Sequence, residues 1–155
     1  VSAALALWKR LGGSAPGRWL ASRLICFRAP YFASIRPLLE TLEPGRCVAA
    51  IADRRAVHNH IGTVHAIALC NLAEFTAGLA TDAAMRPDQR WIPKGMTVEY
   101  LKKARGRMRG EALVEGTREL QGSAECEARV SVRDPAGEDV FRAVVRMWVS
   151  PKPAA

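Results

Sequence analysis

The stretch NHIGTVHAIALCNLAEFTAGL, Asn59 to Leu79, decides how the rest of the chain is read. A polar loop feeds a long segment with helical periodicity. Thr63 has the side chain of an N-cap, and the helix should run from about Val64 to Gly78 or Leu79, with Gly78 near its end. At 100° per residue, Val64, Ala68, Leu72, Phe75 and Leu79 form one apolar stripe, while Ala66, Cys70, Ala73 and Ala77 form a narrow row of small residues on the opposite side. A helix apolar on two sides is surrounded by protein rather than resting on a surface. Glu74 stands at the edge of the small-residue row, where a carboxylate is costly to bury unless it has partners or a task.

Downstream of this helix the pattern changes to strands. Ile92 to Leu101 alternates, with Met96, Val98 and Tyr100 on one side and Thr97 and Glu99 on the other. Arg109 to Leu120 is a weaker strand. In Glu125 to Arg133 the residues Cys126, Ala128, Val130 and Val132 face inward and the charged residues outward. Asp134 to Gly137 is a turn, and Val140 to Val149 returns with Phe141, Ala143, Val145, Met147 and Val149 on one face. These segments describe an antiparallel sheet buried on one side.

Upstream, Ser2 to Leu11 reads as a short helix ended by Gly12-Gly13. Ser14-Ala-Pro16 starts a second, running through Trp19, Leu20, Leu24 and Ile25. Ser34 to Leu42 reads as a third, closed by Pro44-Gly45. Packing or capping is the expected role of this region; a basic amphipathic helix lying on a membrane surface around Arg18 and Arg23 is the alternative. Cys47 to Ala52 is a short strand. The whole is an α+β chain, one antiparallel sheet wrapped around a long central helix. Residues 1–155 form a single domain, with 1–44 a helical extension packed on it.

Composition narrows the partners. The chain has 155 residues and a net charge of +8, which favours an anionic partner: nucleic acid, a membrane surface or a phosphorylated small molecule. The four cysteines, Cys26, Cys47, Cys70 and Cys126, form no Cys-x-x-Cys pair and no disulfide framework, so they read as reduced thiols of a cytoplasmic protein. The opening run Val1 to Trp8 stops at Lys9-Arg10, and nothing reaches the ~20 apolar residues of a membrane span. His58, His60 and His65 read as hydrogen-bonding residues around one loop, not as metal ligands.

The polar loop before the central helix is where chemistry is expected. Free N–H groups at a helix N-terminus suit a carbonyl oxygen that gains negative charge. A carboxylate farther along can act as general base on water or as a nucleophile. The residues Asn59, Gly62-Thr63-Val64-His65 and Leu72-Ala73-Glu74, with nine positions between His65 and Glu74, resemble the active-site segment of hotdog-fold thioesterases of the phenylacetate-pathway and 4-hydroxybenzoyl-CoA types. Trp91 to Leu101 resembles their next strand. The run is also similar to an uncharacterised bacterial hotdog family regarded as candidate acyl-CoA thioesterases. The pattern has two glycines after its histidine; Ala66 and Ile67 stand there in this chain, and Ile67 narrows the approach.

The resemblance implies a hotdog fold and an acyl-CoA substrate, with no cofactor beyond the coenzyme A that the substrate carries. It implies a homodimer or dimer of dimers, the loop of one protomer meeting the glutamate of another. Glu74 would be the base or nucleophile and Ala66 the main-chain donor. Asn59 would orient the water or the carboxylate, although Asn is also a common loop-former. Gly62 and His65 would shape the substrate loop, His65 by hydrogen bonds. Lys94, Lys102, Lys103, Arg105, Arg107 and Arg109 form a basic cluster that is either a solvated face or a landing area for coenzyme A phosphates, with Lys94, Lys102, Lys103 and Arg105 the foremost candidates. A non-catalytic acyl-CoA-binding module is the second reading. A nucleic-acid surface is disfavoured, because no exposed aromatic residues interleave the cations.

Overall fold

The computed structural model describes residues 2–117, 120 and 122–153. Helix α1 (Ala3–Leu11) is capped by Ser2, whose hydroxyl accepts from Leu5 N–H, and α2 (Ala15–Arg28) by Ser14, which accepts from Gly17 N–H. Serine caps supply the acceptor that the first helical N–H groups lack. Both helices fall where the sequence places them.

The expected third helix does not form. Residues 30–34 make a short 3-10 turn, and Leu38–Glu43 is strand β1. Pro37 explains the change. A proline disfavours the helical region for the residue before it, and Arg36 turns instead into the left-handed region at φ 47°. Beyond it, Leu39 and Leu42 are buried while Leu38, Glu40 and Thr41 are half-exposed. The stretch 1–44 is therefore helical only up to the turn, and its last strand belongs to the sheet.

Six strands form one antiparallel sheet in the order β1-β2-β4-β5-β6-β3, with β2 at Arg46–Ile51, β3 at Gln89–Tyr100, β4 at Met108–Val114, β5 at Ala124–Arg133 and β6 at Asp139–Pro151. The alternation read from β5 and β6 holds: Cys126, Ala128, Val130 and Val132 are buried, as are Phe141, Ala143, Val145, Met147 and Val149. Of the strand expected from Arg109 to Leu120, only the part up to Val114 is extended; Arg118 and Glu119 lie outside the described residues. The sheet's covered face packs around α3 (Ala66–Ala84), whose Leu72, Ala73, Phe75, Ala77 and Ala80 are buried. No helix among the described residues is long and apolar enough to cross a membrane. The four cysteines are free, and burial pushes the Cys47 thiol far up.

Two edges of this sheet remain, β1 and β3. β3 is long and, among the described residues, pairs only with β6, through a bulge between Pro93 and Gly95. Its Met96 and Val98 are half-buried, and Tyr100, expected to turn inward with them, is 52% exposed although its ring leans on Phe141. An edge strand half-covered by a single helix cannot bury its whole inner face.

Candidate active site

The helix begins two residues later than its sequence suggests. His65, not Thr63, is the N-cap: its Nδ1 accepts from the Ile67 N–H at 3.0 Å, which leaves the ring proton on Nε2. Thr63 is already engaged, because its hydroxyl accepts from Asn59 Nδ2 at 2.8 Å. The Asn59 amide oxygen accepts from the N–H groups of Ile61 and Thr63, both at 3.1 Å. Asn59 is thus the loop-former, its side chain directed at its own turn. Gly62 closes that turn at φ +73°, with open space where a Cβ would stand, so the position asks for glycine's conformational freedom and not for room.

Backbone bonds fix the loop from outside. His65 N–H donates to the Val57 carbonyl at 2.8 Å and Val64 N–H to the Ala104 carbonyl at 2.9 Å. His58 pairs with Asp53, whose other oxygen accepts from Gly106 N–H at 2.6 Å. The His58 hydrogen bond, followed by that of Gly106, holds the Asp53 carboxyl below the usual carboxylate range. Asp53 escaped the sequence reading because it lies outside the quoted motif; its signal was an acid closing the short strand five residues before a histidine. The histidines accordingly share no site: His58 is on Asp53 and His65 caps the helix.

With Ile67 N–H taken by His65, the N–H of Ala66 is the donor left at the helix start; it makes no hydrogen bond among the described residues. Ala66 lines a shallow recess together with Asn59, Tyr100, Leu101, Lys102 and Lys103. The structure therefore joins Asn59, Ala66, Lys102 and Lys103 around one depression, with Tyr100 as an unforeseen wall. Tyr100 reaches across to Cys70, Oη to Sγ 3.3 Å.

Glu74 is elsewhere on the same helix. It lies half-buried on the side of α3 that also shows Ile67, Cys70 and Asn71, and it lines a recess of about 180 Å³ with Ile25, Phe32, Phe75, Trp91 and Pro93. Phe32 and Phe75 meet edge to face at 5.4 Å. Gly78, expected near the helix end, sits well inside the helix, which runs on to Ala84; a Cβ there would stand 2.8 Å from the Trp91 ring, so the glycine lets that ring lie against the helix. Among the described residues the Glu74 carboxylate makes no hydrogen bond and no ion pair.

The basic cluster separates. Arg107 and Arg109 both pair with Glu40, at 3.0 and 2.7 Å, and Lys102 with Glu138 at 2.5 Å. Lys94 stands on β3 about 20 Å along the strand from the recess, paired with Glu125 and placed over the Trp148 ring. Lys103 and Arg105 are exposed and form no ion pair among the described residues. Of the cations singled out in the sequence, Lys103 lines the Ala66 recess without an ion pair, and Arg105 stands two residues on, close enough to Asp53 to act on its carboxyl.

Comparison with known proteins adds to this geometry. Residues 17–149 match the model of the family described as "Domain of unknown function (DUF4442)". The crystal structure named genomics APC5556 is 40% identical, covers 96% of this chain and 98% of its own, and superposes with a TM-score of 0.82. PA5026 from Pseudomonas aeruginosa, a protein of unknown function described as a probable thioesterase, is 26% identical, covers 86% and 95%, and gives a TM-score of 0.78. A thioesterase from Haemophilus influenzae, HI1161, shares the fold at 11% identity, with 84% and 89% covered and a TM-score of 0.74. None of the curated proteins matches the chain. The fold is the hotdog fold anticipated from the Asn59–Glu74 segment.

Proposed function

The chain belongs to the DUF4442 domain family, and from that premise we propose that it is a thioester hydrolase acting on acyl-CoA, each active site being shared between two copies of the chain. The observation that carries this reading is the separation of two incomplete sites on one helix. Ala66 and Glu74 are eight residues apart, so their backbones are about 12 Å apart along the axis. A carboxylate and an oxyanion donor that serve one thioester must both lie within hydrogen-bond reach of it. One chain cannot supply both. A two-fold partner can, because an isologous contact brings residue i to j and j to i.

The surface supports such a contact. β3 presents an open edge, and beside it Ile61, Ile67, Ile92, Tyr100 and Leu101 are exposed. An uncovered edge of this length is a liability that pairing with a second copy removes. In the assembled site, Glu74 takes a proton from a water whose oxygen attacks the thioester carbonyl carbon, or attacks that carbon itself to give a mixed anhydride that water then hydrolyses. The oxyanion formed faces Ala66 N–H of the other copy; on its collapse the C–S bond breaks, coenzyme A leaves as the thiol with a proton that comes from the water, and the carboxylic acid is released. The apolar recess beside Glu74 takes the acyl group, and Lys103 and Arg105 take the phosphates of coenzyme A.

A second reading, an acyl-CoA-binding protein without turnover, draws on Ile67: its N–H is spent on His65 and its side chain, 53% exposed, stands beside the one free donor. One experiment separates the two. Steady-state hydrolysis of a panel of acyl-CoA thioesters is expected from the wild type and not from Glu74→Gln. Binding of the same thioesters with no turnover by the wild type selects the second reading, and neither binding nor turnover overturns both.

A further inference from the structure

We propose that α2 docks this protein on an anionic lipid surface. Sequence alone favoured packing for Trp19, Leu20, Leu24 and Ile25, but only Ile25 is buried. Trp19 is 58% exposed, Phe27 85% and Tyr31, just past the helix, 67%, with Leu20 and Leu24 also open. At 100° per residue Trp19, Phe27, Leu20 and Leu24 fall within an arc of about 140°, an outward face that also holds the half-buried Arg23, whose guanidinium is turned onto the Pro37 carbonyl. Ala21, Ser22, Ile25 and Cys26 fill the inward one. Side chains of this size left uncovered on one helix face mark a site of interaction.

Charge identifies the occupant. Before Glu40 the chain holds Lys9, Arg10, Arg18, Arg23, Arg28 and Arg36 and no acidic residue. None of these six forms an ion pair among the described residues; Arg18 and Arg23 reach only the carbonyls of Gly12 and Pro37. Elsewhere on the surface many cations are matched, Arg46 to Glu111, Arg133 and Arg142 to Asp139 and Arg146 to Glu125, and the unmatched ones, Lys103 and Arg105 among them, lie in a part of the chain that also carries acidic residues. A second copy docked on the same face would set these cations against one another. An anionic headgroup layer accepts them, while the mixed aromatic and aliphatic stripe enters the acyl boundary, the arrangement of an interfacial helix.

The test is cosedimentation of the full chain with vesicles of phosphatidylcholine, and of phosphatidylcholine with an equal part of phosphatidylglycerol, at low and high salt. Binding is expected to the anionic vesicles, to weaken with salt, and to be slight on the neutral ones. Leu24→Ser with Phe27→Ser should weaken it by about tenfold or more, and Arg10→Glu with Arg28→Glu by about twentyfold or more. Trp emission should shift to the blue on binding, and the shift should shrink in Trp19→Phe. The altered residues are on the surface, so far-UV circular dichroism should match the wild type. A variant that fails this check is replaced by Leu24→Gln with Phe27→Gln. The proposal is overturned by equal binding to both vesicle types, by folded variants that bind like the wild type, by retention on RNA without vesicle binding, or by an apolar pair that changes the oligomeric state and leaves vesicle binding intact.

Discussion

At the first turn of α3, Asn59, Thr63 and His65 direct their polar side-chain atoms at the backbone and at each other, so the loop is tied to itself, and at the helix start the N–H of Ala66 is left over among the described residues. In the middle of the same helix the arrangement is reversed. Among the described residues Glu74 has no polar partner, and it lines a recess with Ile25, Phe32, Phe75 and Trp91. The acids Glu40, Asp53 and Asp139 are, by contrast, held by cations or N–H donors. One turn offers an N–H donor with no carboxylate beside it, and the other a carboxylate with no donor beside it. Two such turns are useful when a second copy brings them together.

The largest expected effect breaks the comparison at its middle turn. Glu74→Gln should reduce turnover by about 10²–10⁴-fold, the usual contribution of a positioned base. Because the carboxylate holds nothing among the described residues, unfolding free energy should stay within about 0.5 kcal/mol of the wild type. A variant that loses stability in step with activity would make Glu74 structural.

The next breaks it at the first turn. Ala66→Pro deletes the one free donor with little disturbance, since proline is favoured at the first helical position. His65 already lies at φ −64°, ψ 139°, the region a residue before proline adopts. Turnover should fall about 10²–10³-fold. Unfolding and refolding the two variants together in equal amounts gives the sharper test. Hybrid dimers carry one intact site, so random mixing should restore about a quarter of wild-type activity. No recovery would mean that each chain works alone.

Asn59→Ala addresses the rigidity of the first turn. Three hydrogen bonds disappear, and denaturant unfolding should show a loss of about 1–2 kcal/mol. If the loss is absent, the loop does not depend on Asn59 for its shape.

These two turns were unequally legible in the sequence. The central helix, the strand alternation of β5 and β6 and the positions of Ala66 and Glu74 followed from periodicity and from one motif. The strand at Leu38–Glu43 was missed because its leucines also fit a helical stripe, and the influence of Pro37 on Arg36 reaches only one residue. The wall around Glu74 was illegible for a different reason. Ile25, Phe32 and Trp91 come from three separate segments, and no local pattern announces that α2, the turn after it and β3 converge on one point of α3. Charge was misread in the same way: Glu40 and Glu138, which engage much of the basic cluster, are distant in sequence.

Asp53 offers a pH test of how firmly the first turn is held. Its carboxyl lies below the ordinary range in the folded chain, so its contribution is fully present above the unfolded value of about 3.9 and is lost as pH falls through the depressed folded value. Wild type and Asp53→Asn should therefore differ in thermal stability by a constant amount near neutral pH, and the difference should close in strongly acidic solution. A difference that grows as the pH falls would reverse the assignment.

The smallest effect concerns what lies outside both turns. Lys103 lines the Ala66 recess and Arg105 follows two residues on, neither in an ion pair among the described residues, whereas Lys102 must leave Glu138 before it can bind an anion. Lys103→Ala with Arg105→Ala should raise KM by about three- to tenfold, the scale of two solvent-exposed charge contacts, and leave kcat unchanged, because phosphates far from the thioester are held equally in the ground and transition states. Salt should raise the wild-type KM and affect the double variant less. Lys102→Ala alone should change little. If it changes KM more than the pair does, the ion pair with Glu138 does not survive in the working site, and the landing area must be assigned to the opposite side of the recess.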